Sequence, residues 1–423
     1  MPDRNGDGPG RSLESIEAEG QTEDLLRWLA RYGRKLWEFR AKLGMLETSK
    51  ASAIIQAIGR CLGPTLSHFE IDCHLHEDEG GLNATMLSSA TAGLRLLSNL
   101  ELPLAGQLTD THLRALANAQ PTRLRLLYPS KLHAAANSFS YTKEGWSSFE
   151  HMSDLNLVGG HVCHTWGMAD APINKLLLGH GSQLSLEGLK TSTSLTSLTL
   201  QQPDLQHSSE SPWFQQLQPL SGLKSLVLVG RPSSSAPNIS ATVMQLFHLS
   251  HLHHLGIYDW SPADIGLHLA DLHVPDCPQL KTLHISGSLK WPFLNFEALS
   301  SLRSLTLRLP AVMLPGSLSN LVQLTLLDIS RSSNEALSPL NVSVIGHLVA
   351  LVTLYLDNCR ELEFDSDAAW LTLAMSPALQ RVGLTGSRPA SDQISWLAMA
   401  NFMIAVKGRN SVPDLPSVEL FLG

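Results

Sequence analysis

Apolar residues recur along this chain in a six-residue pattern, apolar-x-x-apolar-x-apolar, that returns about fifteen times at a spacing of roughly 27 residues. Positions four and six of each copy lie on one face of a strand, because side chains alternate along extended backbone. The pattern therefore predicts one short strand per copy, with its leucines in a shared core. The clearest copies are Leu195–Leu200, Leu223–Leu228, Leu252–Ile257, Leu280–Ile285, Leu302–Leu307, Leu324–Ile329 and Leu351–Leu356.

Weaker copies extend the pattern in both directions. With them included, the fourth positions fall at residues 39, 69, 100, 124, 155, 176, 198, 226, 255, 283, 305, 327, 354, 382 and 418. One copy buries too little surface to fold alone, but stacked copies form a continuous core in which each buried leucine contributes about 1.5–3 kcal/mol. Apolar residues at helical spacing in 264–272 and 368–375 predict return segments between the strands.

These features predict an α/β solenoid. We expect a curved, horseshoe-like stack of irregular repeats, with parallel strands on the concave face and helices, 3₁₀ turns and loops on the convex face. The repeat domain should cover 22–423, after a polar, Gly-rich and disordered tail over 1–21. A polar interruption near 131–150 predicts either a loop or an extra helix.

Composition removes several classes of function. The chain carries 30 basic and 38 acidic residues, a formal charge of −8, and no run of five Lys or Arg, so we expect no nucleic-acid partner. It has no run of 18 apolar residues, so we expect no membrane span. Its first ten residues lack the apolar stretch of a signal peptide, and its five cysteines are scattered. These features predict reduced thiols and a cytoplasmic or nuclear protein that is not secreted.

Motifs for catalysis are absent from the sequence. There is no phosphate-binding loop, nucleophile elbow, H-E-x-x-H or strand-associated G-x-G-x-x-G, so we expect no enzyme, no catalytic residue and no cofactor. Histidine and cysteine cluster in 73–76 and again in 161–164, but neither segment has a recognised zinc spacing. We expect no metal site.

Two later copies carry recognisable repeat units. LPGSLSNLVQLTLLDIS at Leu314–Ser330 is similar to the plant-type leucine-rich unit, and LVTLYLDNC at Leu351–Cys359 is similar to the cysteine-containing unit, with Cys359 in its Asn/Cys slot. The chain resembles the intracellular leucine-rich repeat superfamily, in particular ribonuclease-inhibitor-like and F-box/leucine-rich-repeat proteins. The segment Glu23–Gly44 looks like the first repeat unit that follows the F-box in many such chains.

The resemblance implies a protein-binding function. An F-box/leucine-rich-repeat chain would be the substrate receptor of a ubiquitin ligase adaptor, but no F-box is visible before Glu23. The chain is therefore a repeat receptor without its adaptor module, a truncated gene model, or a protein unrelated to ubiquitin transfer. The alternative function is a leucine-rich-repeat regulator of a small GTPase, which no residue specifically supports.

Side chains that flank positions four and six do no core packing and project from the concave face. On the later repeats they mix Tyr, Arg, His and Asp, which suits a protein partner because Tyr and Arg most often carry interface energy. The same positions over 197–229 hold Ser, Thr, Gln and Val and look bland. We predict that the partner-binding residues are His254, Tyr258, His284, Arg308, Asp328, Tyr355, Asp357 and Arg381.

Overall fold

A computed structural model shows that the six-residue pattern forms parallel strands. Its contacts divide the chain into two units, residues 1–222 and 223–423. The structure describes residues 12–17, 26–27, 29–31, 36–46, 48–61, 66–75, 87–88, 91, 94, 97–103, 108–127, 143–158, 167–179, 186–201, 217, 219–230, 249, 251–260, 277–287, 290–291, 296–297, 299–309, 311–312, 314, 316–330, 340–341, 343–359, 362–363, 368–389, 393–410 and 418–421.

Unit 1 forms a parallel sheet whose strands follow one another in chain order. Within its described residues the strands are β1 (Ser12–Glu17), β2 (Glu38–Leu46), β3 (His68–Leu75), β4 (Asn99–Pro103), β5 (Arg123–Leu127), β6 (Asp154–Val158), β7 (Lys175–Gly179) and β8 (Ser197–Gln201). Its helices are α1 (Thr48–Cys61), α2 (Asp110–Ala117) and α3 (Lys143–Ser147), with 3₁₀ turns at Met168–Asp170 and Glu187–Leu189.

Unit 2 has the same organisation, again with parallel strands in chain order. Its main sheet contains β9 (Ser225–Val229), β10 (His254–Trp260), β11 (Thr282–Gly287), β13 (Ser304–Arg308), β15 (Leu326–Asp328), β17 (Thr353–Tyr355), β19 (Arg381–Gly383) and β20 (Glu419–Phe421). Two short parallel pairs join β12 (Lys290–Trp291) to β14 (Ala311–Val312) and β16 (Leu340–Asn341) to β18 (Leu362–Glu363). The helices are α4 (Ala368–Ala374) and α5 (Gln393–Arg409), with 3₁₀ turns at Gly316–Asn320 and Ser343–His347.

The register of the strands confirms the repeat. Residues at position four lie directly opposite one another on neighbouring strands, as Leu255 does with Leu283 and Leu283 with Leu305. These three leucines are fully buried, while their strand neighbours are mostly partly exposed. Each unit therefore contains a row of apolar side chains perpendicular to its strands, which is the core predicted from the sequence.

The ends of the repeat differ from the sequence prediction. In the last copy, Val382 lies opposite Leu420, so the fourth position is Leu420 and the predicted residue, 418, was wrong by two. At the start, Leu13 lies opposite Phe39 in a strand pair that the sequence did not predict. For Ser12–Glu17 the expectation of a disordered tail is therefore wrong. The single repeat domain over 22–423 stays a prediction, since each unit contains the repeat by itself.

Helices occur between some of the strands. The segment 368–375 forms α4, as predicted, and its Trp370 packs edge-on against Phe402 of α5 with ring centroids 5.0 Å apart. The predicted segment 264–272 lies outside the described residues, as does 131–142 of the polar interruption, while Lys143–Ser147 is helical. Among the helices that the structure describes, none is both long enough and apolar enough to cross a membrane.

Candidate functional site

The sheet of each unit has one face made by the buried residues at positions four and six and an opposite face made by positions three, five and seven. We call the opposite face the outer face. In unit 2 it carries the eight residues proposed from the sequence, since those residues flank the buried positions on β10 to β19. The structure brings six of them into two clusters and leaves two apart.

The first cluster begins with an aromatic pair. Tyr258 of β10 and His284 of β11 stack with ring centroids 4.2 Å apart and planes at 28°. The tyrosine reaches this position because Gly256, two residues earlier on the same strand face, has no side chain: a Cβ atom there would lie 2.6 Å from Cε2 of the Tyr258 ring. Glycine at position five thus lets the ring lie against the sheet.

An arginine on a buried carboxylate completes the cluster. Arg308 of β13 donates from Nε and Nη2 to Oδ2 of Asp328, at 3.0 and 2.7 Å. The other oxygen, Oδ1, accepts from the backbone N–H of Ser330 at 2.9 Å. The Arg308 side chain is 50% exposed and the Asp328 side chain only 6%. Asp328 can therefore act on a partner only through Arg308, whose guanidinium it holds in place.

Burial and charge act on the ionisable groups of this region. Burial raises the pKa of the Tyr258 phenol, while the positive charge of Arg308 acts in the opposite direction. Burial also lowers the pKa of His254. Both groups are therefore neutral near pH 7, and Arg308 supplies the exposed charge of the cluster.

The second cluster lies on β17 and the residues that follow it. The Tyr355 ring crosses to the next strand and covers Gly383, where a Cβ atom would lie 2.5 Å from Cδ1 of the ring. Asp357 lies beside the same glycine, and its Oδ1 accepts from the backbone N–H of Thr385 at 2.7 Å. The glycine again makes room for a tyrosine on the outer face.

Two of the eight residues stay outside these clusters. His254 lies at position three of β10, between Ser225 and Thr282. Arg381 pairs with Glu419 at 3.1 Å, and both side chains are more than half exposed. An ion pair this exposed contributes little energy.

Unit 1 carries a charged outer face that the sequence analysis missed. The signal was present, because positions three and five of the copies on β2 to β7 hold polar residues everywhere except at Leu177. They are Glu38, Arg40, His68, Glu70, Asn99, Glu101, Arg123, Arg125, Asp154, Asn156 and Lys175.

Other sequence candidates have structural roles or cannot be described. Cys359 is fully buried, and its Sγ donates to the carbonyl of Ile329 at 3.4 Å, as a residue in the Asn/Cys slot should. The His/Cys segment 161–164 lies outside the described residues, and so do the side chains of 73–76. Among the side chains that are described, no three His, Cys, Asp or Glu are gathered as metal ligands.

Known proteins resemble this chain in structure but not in sequence. No family model matches, and no curated protein is similar enough to count as a relative. Among solved structures, the chain is similar to Toll in a Drosophila Toll–Spatzle complex, with 15% identity and a TM-score of 0.54, covering 96% of this chain and 54% of Toll. It is also similar to the internalin InlF of Listeria monocytogenes, with 16% identity and a TM-score of 0.44, covering 89% of this chain and 91% of the internalin. A TLR13–ssRNA13 complex matches at 15% identity and a TM-score of 0.46, covering 89% and 54%.

The match to Toll and the parallel sheets define the class of the molecule: it has the fold of a leucine-rich repeat solenoid. The chain spans about half the length of the Toll chain that it matches.

The predicted location is wrong. Toll, whose fold this chain shares, is an extracellular leucine-rich repeat protein, and this conflicts with the predicted cytoplasmic, non-secreted location. The prediction depended on five scattered cysteines and a polar first segment. Neither feature identifies a compartment, since a solenoid held together by buried leucines needs no disulfide framework on either side of a membrane.

Proposed function

We propose that this chain is a non-enzymatic recognition scaffold and that it binds another protein on the outer face of unit 2. The observation that carries the proposal is the cluster of Tyr258, His284 and Arg308, in which a stacked aromatic pair lies beside an arginine fixed by a buried carboxylate. Tyr and Arg dominate the binding energy of protein interfaces.

The cluster is arranged before any partner arrives. Ordering a long side chain at an interface costs about 0.5–1.5 kcal/mol, and this cost is reduced where the unbound protein already fixes the side chain. Two hydrogen bonds to Asp328 fix Arg308, and the stack with His284 fixes Tyr258. Partner binding should therefore depend strongly on these residues and weakly on the exposed Arg381–Glu419 pair.

Finer assignments have less support. An F-box type of substrate receptor rests on the sequence of Glu23–Gly44 alone, and no described residue favours the regulation of a small GTPase. The solved Toll structure is a complex with Spatzle, and the solved TLR13 structure is a complex with ssRNA13. A protein partner fits unit 2 better because its outer face combines aromatic, neutral and paired charged groups, and the described part of this face has no row of unpaired cations for phosphates.

The test is an affinity measurement on single variants. A partner is first captured by crosslinking to the full chain and then purified, and its Kd is measured by calorimetry for wild type, Tyr258→Ala and Arg308→Ala. We expect each variant to bind about 30-fold more weakly, the effect of a side chain at an interface centre. Arg303→Ala is the matched control, because Arg303 is exposed in the same repeat but lies before the strand. Equal affinity for all four proteins would reject this surface.

A further inference from the structure

The outer face of unit 1 places its arginines above its carboxylates. Arg125 is 44% exposed and contacts Glu101, which is 9% exposed, with 3.0 Å between Nη1 and Oε1. Arg40 is 52% exposed and contacts Glu38, which is 12% exposed, at 2.7 Å. Arg40 also lies 3.6 Å from Glu70 of β3, whose side chain is 31% exposed. In each of these pairs the arginine is the more exposed partner, and Glu38 and Glu101 lie beneath the guanidinium groups.

Arg123 follows the same order with a looser contact. Its side chain is 65% exposed, and its Nε lies 3.7 Å from Oδ2 of Asp154, whose side chain is 32% exposed. At that distance the contact is an ion pair without a hydrogen bond, so the donors of the guanidinium remain available to a partner. Lys175, two strands further on, is also exposed.

The spacing of these cations is set by the sheet. Arg123 and Arg125 lie two residues apart on one face of β5, hence about 7 Å apart along the strand. Arg40 lies three strands away on β2, hence about 14 Å across the sheet. A partner that contacts all three needs several anionic groups spread over that distance.

We infer that the outer face of unit 1 binds an acidic protein segment, through Arg40, Arg123 and Arg125. Charge complementarity identifies the occupant: a carboxylate that approaches the sheet meets guanidinium groups first, and these match carboxylates in pairs of parallel hydrogen bonds. The carboxylates beneath keep the arginines extended and in place, which lowers the cost of binding. Glu101 thus acts as a positioning residue for Arg125.

A protein segment fits this face better than a nucleic acid. Single-stranded nucleic acids bind where aromatic side chains stack on the bases between cations. Positions three and five of β2 to β6 hold Glu, Arg, His, Asn and Asp, and the described side chains at position seven are Leu127 and Val158, so none of them is Tyr, Phe or Trp. The cations are also partly neutralised by their carboxylates, which weakens attraction to a continuous phosphate backbone.

The proposal is tested with the full chain and labelled peptides of known sequence. Fluorescence anisotropy measures binding of a short peptide of alternating Glu and Ser, a matched peptide of Gln and Ser, and an oligouridylate. We expect the Glu peptide to bind, more weakly as salt is raised, and the Gln peptide not to bind. Arg123→Glu should weaken binding of the Glu peptide about tenfold or more, and Arg123→Lys much less. Arg114→Glu is the matched control, since Arg114 is similarly exposed and paired, but on helix α2.

Several outcomes would overturn the proposal. These are no binding of the Glu peptide, equal binding of the Gln peptide, equal losses in Arg123→Glu and Arg114→Glu, or binding of the oligouridylate in place of the Glu peptide. Circular dichroism checks the fold of each variant, and Arg123→Gln replaces any reversal that fails to fold. Arg308→Ala in unit 2 should leave peptide binding unchanged, so failure here and failure of the proposed function are distinguishable.

Discussion

Replacing Gly256 with alanine should separate the stacked tyrosine from the sheet. The new Cβ would lie 2.6 Å from Cε2 of Tyr258, closer than any stable carbon contact, so the ring must move away. Since Gly256 has no positive φ, alanine fits the backbone there. The three atoms nearest to the new Cβ all belong to Tyr258, so the substitution acts first on this ring and on its stack with His284.

Two terms of opposite sign decide the stability of Gly256→Ala. Loss of an aromatic stack costs about 0.5–1.5 kcal/mol beyond the area that it buries. Replacement of glycine by alanine at a compatible position stabilises by about 0.4–1 kcal/mol, because the unfolded chain loses freedom. The two nearly cancel, so we expect the free energy of unfolding to change by less than about 1 kcal/mol. Partner affinity at this cluster should nevertheless fall, because Tyr258 is no longer fixed.

A double-mutant cycle in urea isolates the contact. With Tyr258 already replaced by alanine, Gly256→Ala removes no stack, so it should stabilise by about 0.4–1 kcal/mol. The control Gly316→Ala has an open position, with nothing within 4 Å of its Cβ, and should have the same effect in both backgrounds. If the effects of Gly256→Ala and Tyr258→Ala simply add, the ring does not depend on the glycine and the reasoning fails.

Two further predictions concern stability. The buried guanidinium of Arg409 donates to three carbonyls at the end of α4, so Arg409→Met should cost about 2–4 kcal/mol in urea unfolding, while exposed Lys407→Met should change little. Burial lowers the pKa of His254, so the folded protein favours the neutral imidazole. The stability that depends on this neutral form is present above about pH 6.5 and is lost as pH falls from there towards the folded pKa. The fall in melting temperature between about pH 7 and pH 5 should therefore be smaller in His254→Asn, and an equal fall would contradict this.

The fold could be predicted from the sequence because its signal is local and repeated. A leucine at position four is buried only when its strand stacks on another strand, and the same leucine pattern occurs in about fifteen copies. The first and last strands were not predicted correctly, because the local pattern is incomplete or displaced there. Gly10 and Ser15 stand where a copy around Leu13 would need apolar residues. In the last copy, Val418 and Leu420 differ by two residues, a shift that keeps the same strand face.

The site was less predictable, because the alternation of strand residues shows on which face a side chain lies but not how deeply it is buried there. It places Arg308 and Asp328 on the same face as Tyr258, as observed. The alternation does not predict that the long side chain of Arg308 covers the short side chain of Asp328 on the next strand and leaves Asp328 buried. Nor does it state which glycine makes room for a ring, since that depends on rotamers and neighbouring strands.

The different burial of arginines and carboxylates also explains why net charge is a poor guide to the partner. The chain carries −8 overall, yet on the outer face of unit 1 the exposed members of the pairs at Arg40 and Arg125 are the arginines, which lie above the largely buried Glu38 and Glu101. A partner in contact with the face lies nearer to the guanidinium than to the carboxylate, and at such distances the nearer charge dominates the interaction. Beyond about 10 Å screening removes the difference, so the pairs add little to long-range attraction. Such a surface selects acidic groups by contact, through a slower dissociation, rather than by a faster encounter.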